Sequence, residues 1–120
     1  MINAYETEDG VVFDMSQLEC DALRSYADGL LTDPEHPFVE LLRSQGLVVG
    51  DAPVPHLAAL LQAFSQATKV LTAWVVAPAG CRRSTFFVGP RSTAVLRCDD
   101  GGLYAGEDDM VSVWAIDSAQ

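Results

Sequence analysis

The chain has 120 residues, of which 49% are hydrophobic and 20% charged, and its formal net charge is −10. That composition describes one domain able to bury a core and is too apolar for a disordered chain. The acid excess repels a phosphate backbone, so nucleic-acid binding is not expected, and the longest apolar run, Val70–Ala79, is too short to span a membrane.

The charge is uneven. Residues 1–60 carry 11 acidic and 2 basic side chains, whereas residues 61–120 carry 6 and 5. Such acidity commonly serves solubility, and it is also what an acidic DNA mimic would present. Glu6, Glu8 and Asp9 give an N-terminus unlike a signal peptide, so a cytoplasmic location is expected. Three cysteines, at 20, 81 and 98, are an odd number without metal-ligand spacing and read as free thiols.

In chain order, Val11-Val12-Phe13 reads as a short strand after the turn-like Glu8-Asp9-Gly10. Ser16-Gln17-Leu18-Glu19 is a capping box, in which Ser and Glu each take up a backbone N–H of the other. It predicts a helix from about Gln17 to Asp28, with Leu18, Ala22, Leu23 and Tyr26 inward and Gly29 as its stop. A loop rich in Asp-Pro and His-Pro leads to a second helix, Pro37 to Gln45, ended by Gly46 and Leu47. Val48-Val49 is a brief strand. Pro55 opens a third helix, Pro55–Ala67, whose Leu57, Leu60, Leu61 and Phe64 form one stripe.

From Lys69 the pattern becomes β-branched and aromatic. Strands are predicted over Lys69–Val76, Arg82–Val88, Thr93–Cys98, Leu103–Ala105 and Met110–Ile116, with turn signals about every ten residues, as in an antiparallel meander. With Pro90-Arg91 as a two-residue turn, Cys98 faces Arg83 rather than Cys81, which argues against a disulfide. The expected fold is a single α+β domain, three short helices on one face of an antiparallel meander. Residues 11–67 form its mostly helical half and residues 69–116 its strand half.

Side chains alternate along a strand. Counted strand by strand, one face collects Leu71, Ala73, Val75, Phe86, Val88, Ala94, Leu96, Val111, Val113 and Ala115, is wholly apolar, and should carry the helices. The other collects Thr72, Trp74, Val76, Arg83, Thr85, Phe87, Thr93, Val95, Arg97, Ser112, Trp114 and Ile116. Trp and Arg of this kind are enriched in interface cores. Trp74, Val76, Arg83, Phe87, Arg97 and Trp114 are therefore the candidate partner-binding residues, the alternative being that the chain's own helices cover this face.

Catalytic patterns are missing. His36 and His56 sit beside prolines without a spaced metal-ligating partner, no Ser lies in a nucleophile elbow, and no Gly-rich loop opens a helix. The acidic turns at 99–102 and 107–109 lack the alternation of a calcium loop. A non-enzymatic protein without cofactor or metal is expected.

The segments FDMSQLECDAL, FVELLRSQGLV, DAPVPHLAALLQAF, KVLTAWVV, STFFVG and STAVLRCDDGGLYAG follow one another as a strand and capped helix, a helix ending in Gly-Leu, a proline-led apolar helix, and a strand with its meander. This order resembles the N-terminal half of the EspG proteins, chaperones of type VII (ESX) secretion, over about residues 11–116. The resemblance implies a cytosolic chaperone that binds the tip of a PE–PPE heterodimer and keeps it soluble. EspG proteins are about twice this length, with two related subdomains, so it also implies a homodimer that would supply the second half. Two other readings stand beside it. One is a peptide-recognition domain working by strand addition. The other is an acidic, phage-type inhibitor whose binding weakens with salt.

Overall fold

A computed structural model describes residues 2–8, 10–78, 80–101 and 106–117. It is an α+β fold of three helices and an antiparallel sheet. The predicted strand Leu103–Ala105 lies outside the described residues. The chain opens with a hairpin, β1 (Asn3–Thr7) and β2 (Gly10–Ser16), then runs through α1 (Gln17–Ala27), α2 (Pro37–Ser44), the two-residue strands β3 (Val48–Val49) and β4 (Ala52–Pro53), and α3 (Pro55–Ser65). It closes with β5 (Lys69–Ala77), β6 (Gly80–Val88), β7 (Ser92–Gly101) and β8 (Met110–Asp117).

The main sheet has the order β1-β2-β8-β7-β6-β5. It is larger than the predicted meander, because the N-terminal hairpin adds to β8 through Phe13 opposite Val113 and Met15 opposite Val111. Strand β1 was not predicted. Its sequence, NAYET, is exposed throughout and mostly polar, so it lacks the apolar alternation that marks a half-buried strand.

Strand β2 passes into α1 without a loop. Ser16 Oγ accepts from the Glu19 N–H at 3.1 Å, and Glu19 Oε1 accepts from the Ser16 N–H at 2.9 Å, so the predicted capping box is complete. Backbone N–H groups at the helix start are also taken up, Gln17 by the Asp109 carbonyl at 2.7 Å and Leu18 by the Glu107 carbonyl at 3.1 Å. The end of α2 shows the reciprocal device. Gly46, at φ 72°, lets its N–H reach the Arg43 carbonyl and lets the Leu47 N–H reach the Leu42 carbonyl at 2.9 Å.

The helical layer rests on one face of the sheet. Helix α3 packs on β6, β7 and β8, and α1 packs on α3, β2 and β8. The core between them holds Phe13, Met15, Leu23, Leu57, Leu60, Phe64, Phe87, Leu96, Val111 and Val113. The stripe of α3 is as predicted; on α1, Leu23 is buried and Ala22 and Tyr26 pack against the core as predicted, and only Leu18 departs. Gln17, Cys20 and Leu23 are its buried residues, while Leu18 is 54% exposed. The reason is that Cys20 behaves as a small apolar residue and aligns with Leu23 toward α3.

Two consequences are measurable. Ser16→Ala removes half of the capping box and should lower stability by about 1 kcal/mol, read as a shift in urea midpoint. Burial pushes the Cys20 thiol from 9.0 up to about 12, with Asp21 adding to the shift and Arg24 opposing it. The folded chain therefore holds this proton more tightly than the unfolded chain. The associated stability is intact below about pH 9 and is lost as pH rises toward 12. Urea midpoints should fall over that window, and less steeply in Cys20→Ala.

Candidate interaction surface

The sheet separates the six predicted partner-binding residues. Registers of β5 with β6 and of β6 with β7 put Thr72, Trp74 and Val76 on the same face as Arg83, Thr85 and Phe87, and that face continues into Ala94, Leu96 and Cys98 under the helices. Trp74, Val76, Arg83 and Phe87 therefore lie on the helix-bearing face, and Arg97 and Trp114 on the opposite, uncovered one. The predicted faces are correct for β7 and β8 and reversed for β5 and β6. The physical reason lies in the sequence VLTAWVV, which is apolar on both sides, and in the adjacent Phe86 and Phe87. Apolar alternation there has no preferred sign. The turn decides it. Val88 stands opposite Thr93 across Pro90-Arg91, which sets Phe87 opposite Ala94.

On the helix-bearing face, Phe87 is buried in an edge-to-face pair with Phe64 at 5.2 Å and 79°, and the Arg24 guanidinium lies 4.5 Å from its ring centre. Arg83 is buried, with Nη2 4.0 Å from the Asp109 carboxylate. Asp109 also accepts from the Gly106 N–H, and its carbonyl holds the start of α1. Arg83 and Phe87 thus brace the fold. Trp74 and Val76 belong to the same face but remain 50% and 71% exposed, beyond the part of the sheet on which the helices pack.

The uncovered face has a feature that residue counting missed. Leu71, Phe86, Val95 and Trp114 are successive partners across β5, β6, β7 and β8. The β2–β8 register places Val12 next to Trp114, and Tyr5 faces Val12 on β1. One apolar and aromatic row therefore crosses all six strands, about 24 Å at the usual strand spacing. Val95, at its centre, is only 3% exposed although no helix packs there; its neighbours in the row are Phe86 and Trp114. The signal was present in the sequence, because the Pro90-Arg91 register already sets Phe86 opposite Val95.

Beside this row runs a polar one, Ser84, Arg97, Ser112 and Asp14. Ser112 donates to Asp14 Oδ1 at 2.7 Å, and the Arg97 guanidinium lies 5.7 Å from the Trp114 ring centre. Asp99 is shared by Arg82 at 2.8 Å and Arg97 at 3.6 Å, an exposed set worth little for stability but fixing the arginines in place. A depression of about 240 Å³ lies between Tyr5, Val12, Arg97 and Trp114. Charge is segregated as well: residues 52–98 hold five of the seven Lys and Arg and no carboxylate.

The edge of the sheet is unusual. All nine residues of β5 are exposed, including Val70, Leu71, Trp74, Val75 and Val76. The strand pairs with β6 in one unbroken register from Lys69 to Ala77, and among the described residues no strand pairs with its other side. Natural edges are usually short, charged, bulged or interrupted by proline. Strand β5 has one charge, Lys69, at its first position.

Among the described residues no three His, Cys, Asp or Glu side chains are grouped to hold a metal, and no helix is long and apolar enough to cross a membrane. The His36 Nδ1 accepts from the Phe38 N–H and caps α2, a structural use of one candidate histidine. Among the described residues, Cys20 and Cys98 are buried free thiols and Cys81 is half-buried. A thiol-specific reagent at pH 8 should therefore modify Cys81 first, with Cys20 and Cys98 following only on unfolding; equal labelling of all three in the native state would contradict this packing. Comparison of the chain with protein-family models, with curated proteins and with solved structures finds no match.

Proposed function

We propose that this chain is a non-enzymatic, chaperone-like protein-binding module, working in the cytosol as a homodimer, which covers an apolar surface of a PE–PPE-type client or a similar protein. The observation that carries this reading is the row Leu71-Phe86-Val95-Trp114-Val12-Tyr5 on a sheet face that no helix covers. An antiparallel sheet can leave one face to water, and that face is then normally polar. Here an apolar row with a polar row beside it reproduces the division of an interface into a dry centre and a hydrogen-bonding rim. The client's apolar surface would be buried against Phe86 and Trp114, with Arg97 and Ser112 meeting its polar edge. The order of elements, from a strand into a capped helix through to the meander, is the one on which the resemblance to EspG proteins rests.

The test is co-expression with a PE–PPE pair, followed by size exclusion and titration calorimetry. A soluble complex containing all three chains is expected. Phe86→Ser and Trp114→Ser should each weaken it at least tenfold, while Leu18→Ser, exposed on α1, should leave it unchanged. Absence of a complex, or a complex indifferent to the open-face variants, would overturn the proposal.

A further inference from the structure

The geometry points to β5 as a self-pairing edge: two copies of this chain join antiparallel, centred on Ala73, so that their two sheets become one. This inference rests on the homodimer in the reading above and supplies its contact. Three observations converge on a second copy as the occupant. The strand is fully exposed and regular, without the bulge, proline or central charge by which an edge refuses a neighbour. Its polarity reads nearly the same from both ends, as a contact between identical surfaces requires. Centring on Ala73 sets Val70 opposite Val76 of the second copy, Leu71 opposite Val75, and Thr72 opposite Trp74, so apolar side chains meet on both faces. The charges also fit. The only charge of β5, Lys69, lands opposite Ala77 of the other copy, and the two lysines stand at opposite ends of the paired strands.

The axis of such a pair runs perpendicular to the sheet, which leaves both helical layers on one side and both uncovered faces on the other. The apolar row of each copy would then lie on a shared surface. One copy alone offers the row; two offer a platform of twice the width.

The register makes the inference testable at single residues. Light scattering of the full chain should give twice the 12.9 kDa of one chain, falling toward one chain on dilution. In a Cys81→Ser background, Ala73→Cys should form a disulfide-linked dimer on mild oxidation, because directly opposed strand residues lie within disulfide reach. Ala77→Cys should not, since its counterpart lies at the far end of the paired strands. Ala73→Lys places like charges opposite each other and should raise the dimer dissociation constant at least tenfold. A strict monomer at the highest concentration reached would overturn the inference, as would a dimer that ignores Ala73→Lys and does not cross-link at Ala73→Cys. If instead the chain is monomeric and Ala73→Lys abolishes client binding, the edge takes a client strand rather than a second copy. A client that still binds monomeric Ala73→Lys leaves the chaperone reading intact while the dimer is judged separately; a dimer with no client does the reverse.

Discussion

The pairing of β2 with β8 is the contact on which the rest of the architecture depends. It joins residues about a hundred positions apart, Phe13 with Val113 and Met15 with Val111, and all four of these residues are at most 2% exposed. Because Ser16 ends the strand and caps the helix, placing β2 also places α1. Because Asp109 precedes β8 and holds the Gln17 N–H, the same contact fixes the helix start from the other side. Nothing local stabilises this pairing in advance, so loop closure over most of the chain must precede it. The hairpins of β5 to β8 and the capped helices are the pieces that can form first.

The helical layer explains the unequal fates of the strands. Helices α1 and α3, of 11 residues each, sit on one face and reach from β2 to β6. They do not extend over β5, and they do not touch the opposite face. The same shortage of helix leaves one edge bare and one face open. Phe87 falls under α3 and becomes core; Phe86, one residue earlier, falls on the open side and joins a surface row. That single step separates a core side chain from one in the row on the other face.

What was legible in the sequence follows the same physics. Ser16 and Glu19, Gly46 and Leu47, and the Leu57-to-Phe64 stripe announce themselves by local rules, and each occupies the predicted place. The turn at Pro90-Arg91 was equally readable and fixed the register of β6 with β7. The facing of β5 and β6 was misjudged because Val70 to Val76 are apolar whichever way they point. Strand β1 was missed because its place comes from pairing with β2 rather than from its own composition. The whole apolar row emerges only when five registers are chained together, and periodicity within one strand cannot report that.

The segregation of charge bears on how copies of this molecule meet. With a net charge of −10 they repel at a distance, yet residues 52–98, which include β5 and β6, contain five basic side chains and no carboxylate. The repulsion is therefore directional, strongest between helical halves and weakest when the bare edges approach first. Screening shortens that field to about 8 Å at physiological ionic strength. For association through β5, added salt removes an obstacle rather than an attraction, which is the opposite sense from an interface held by ion pairs.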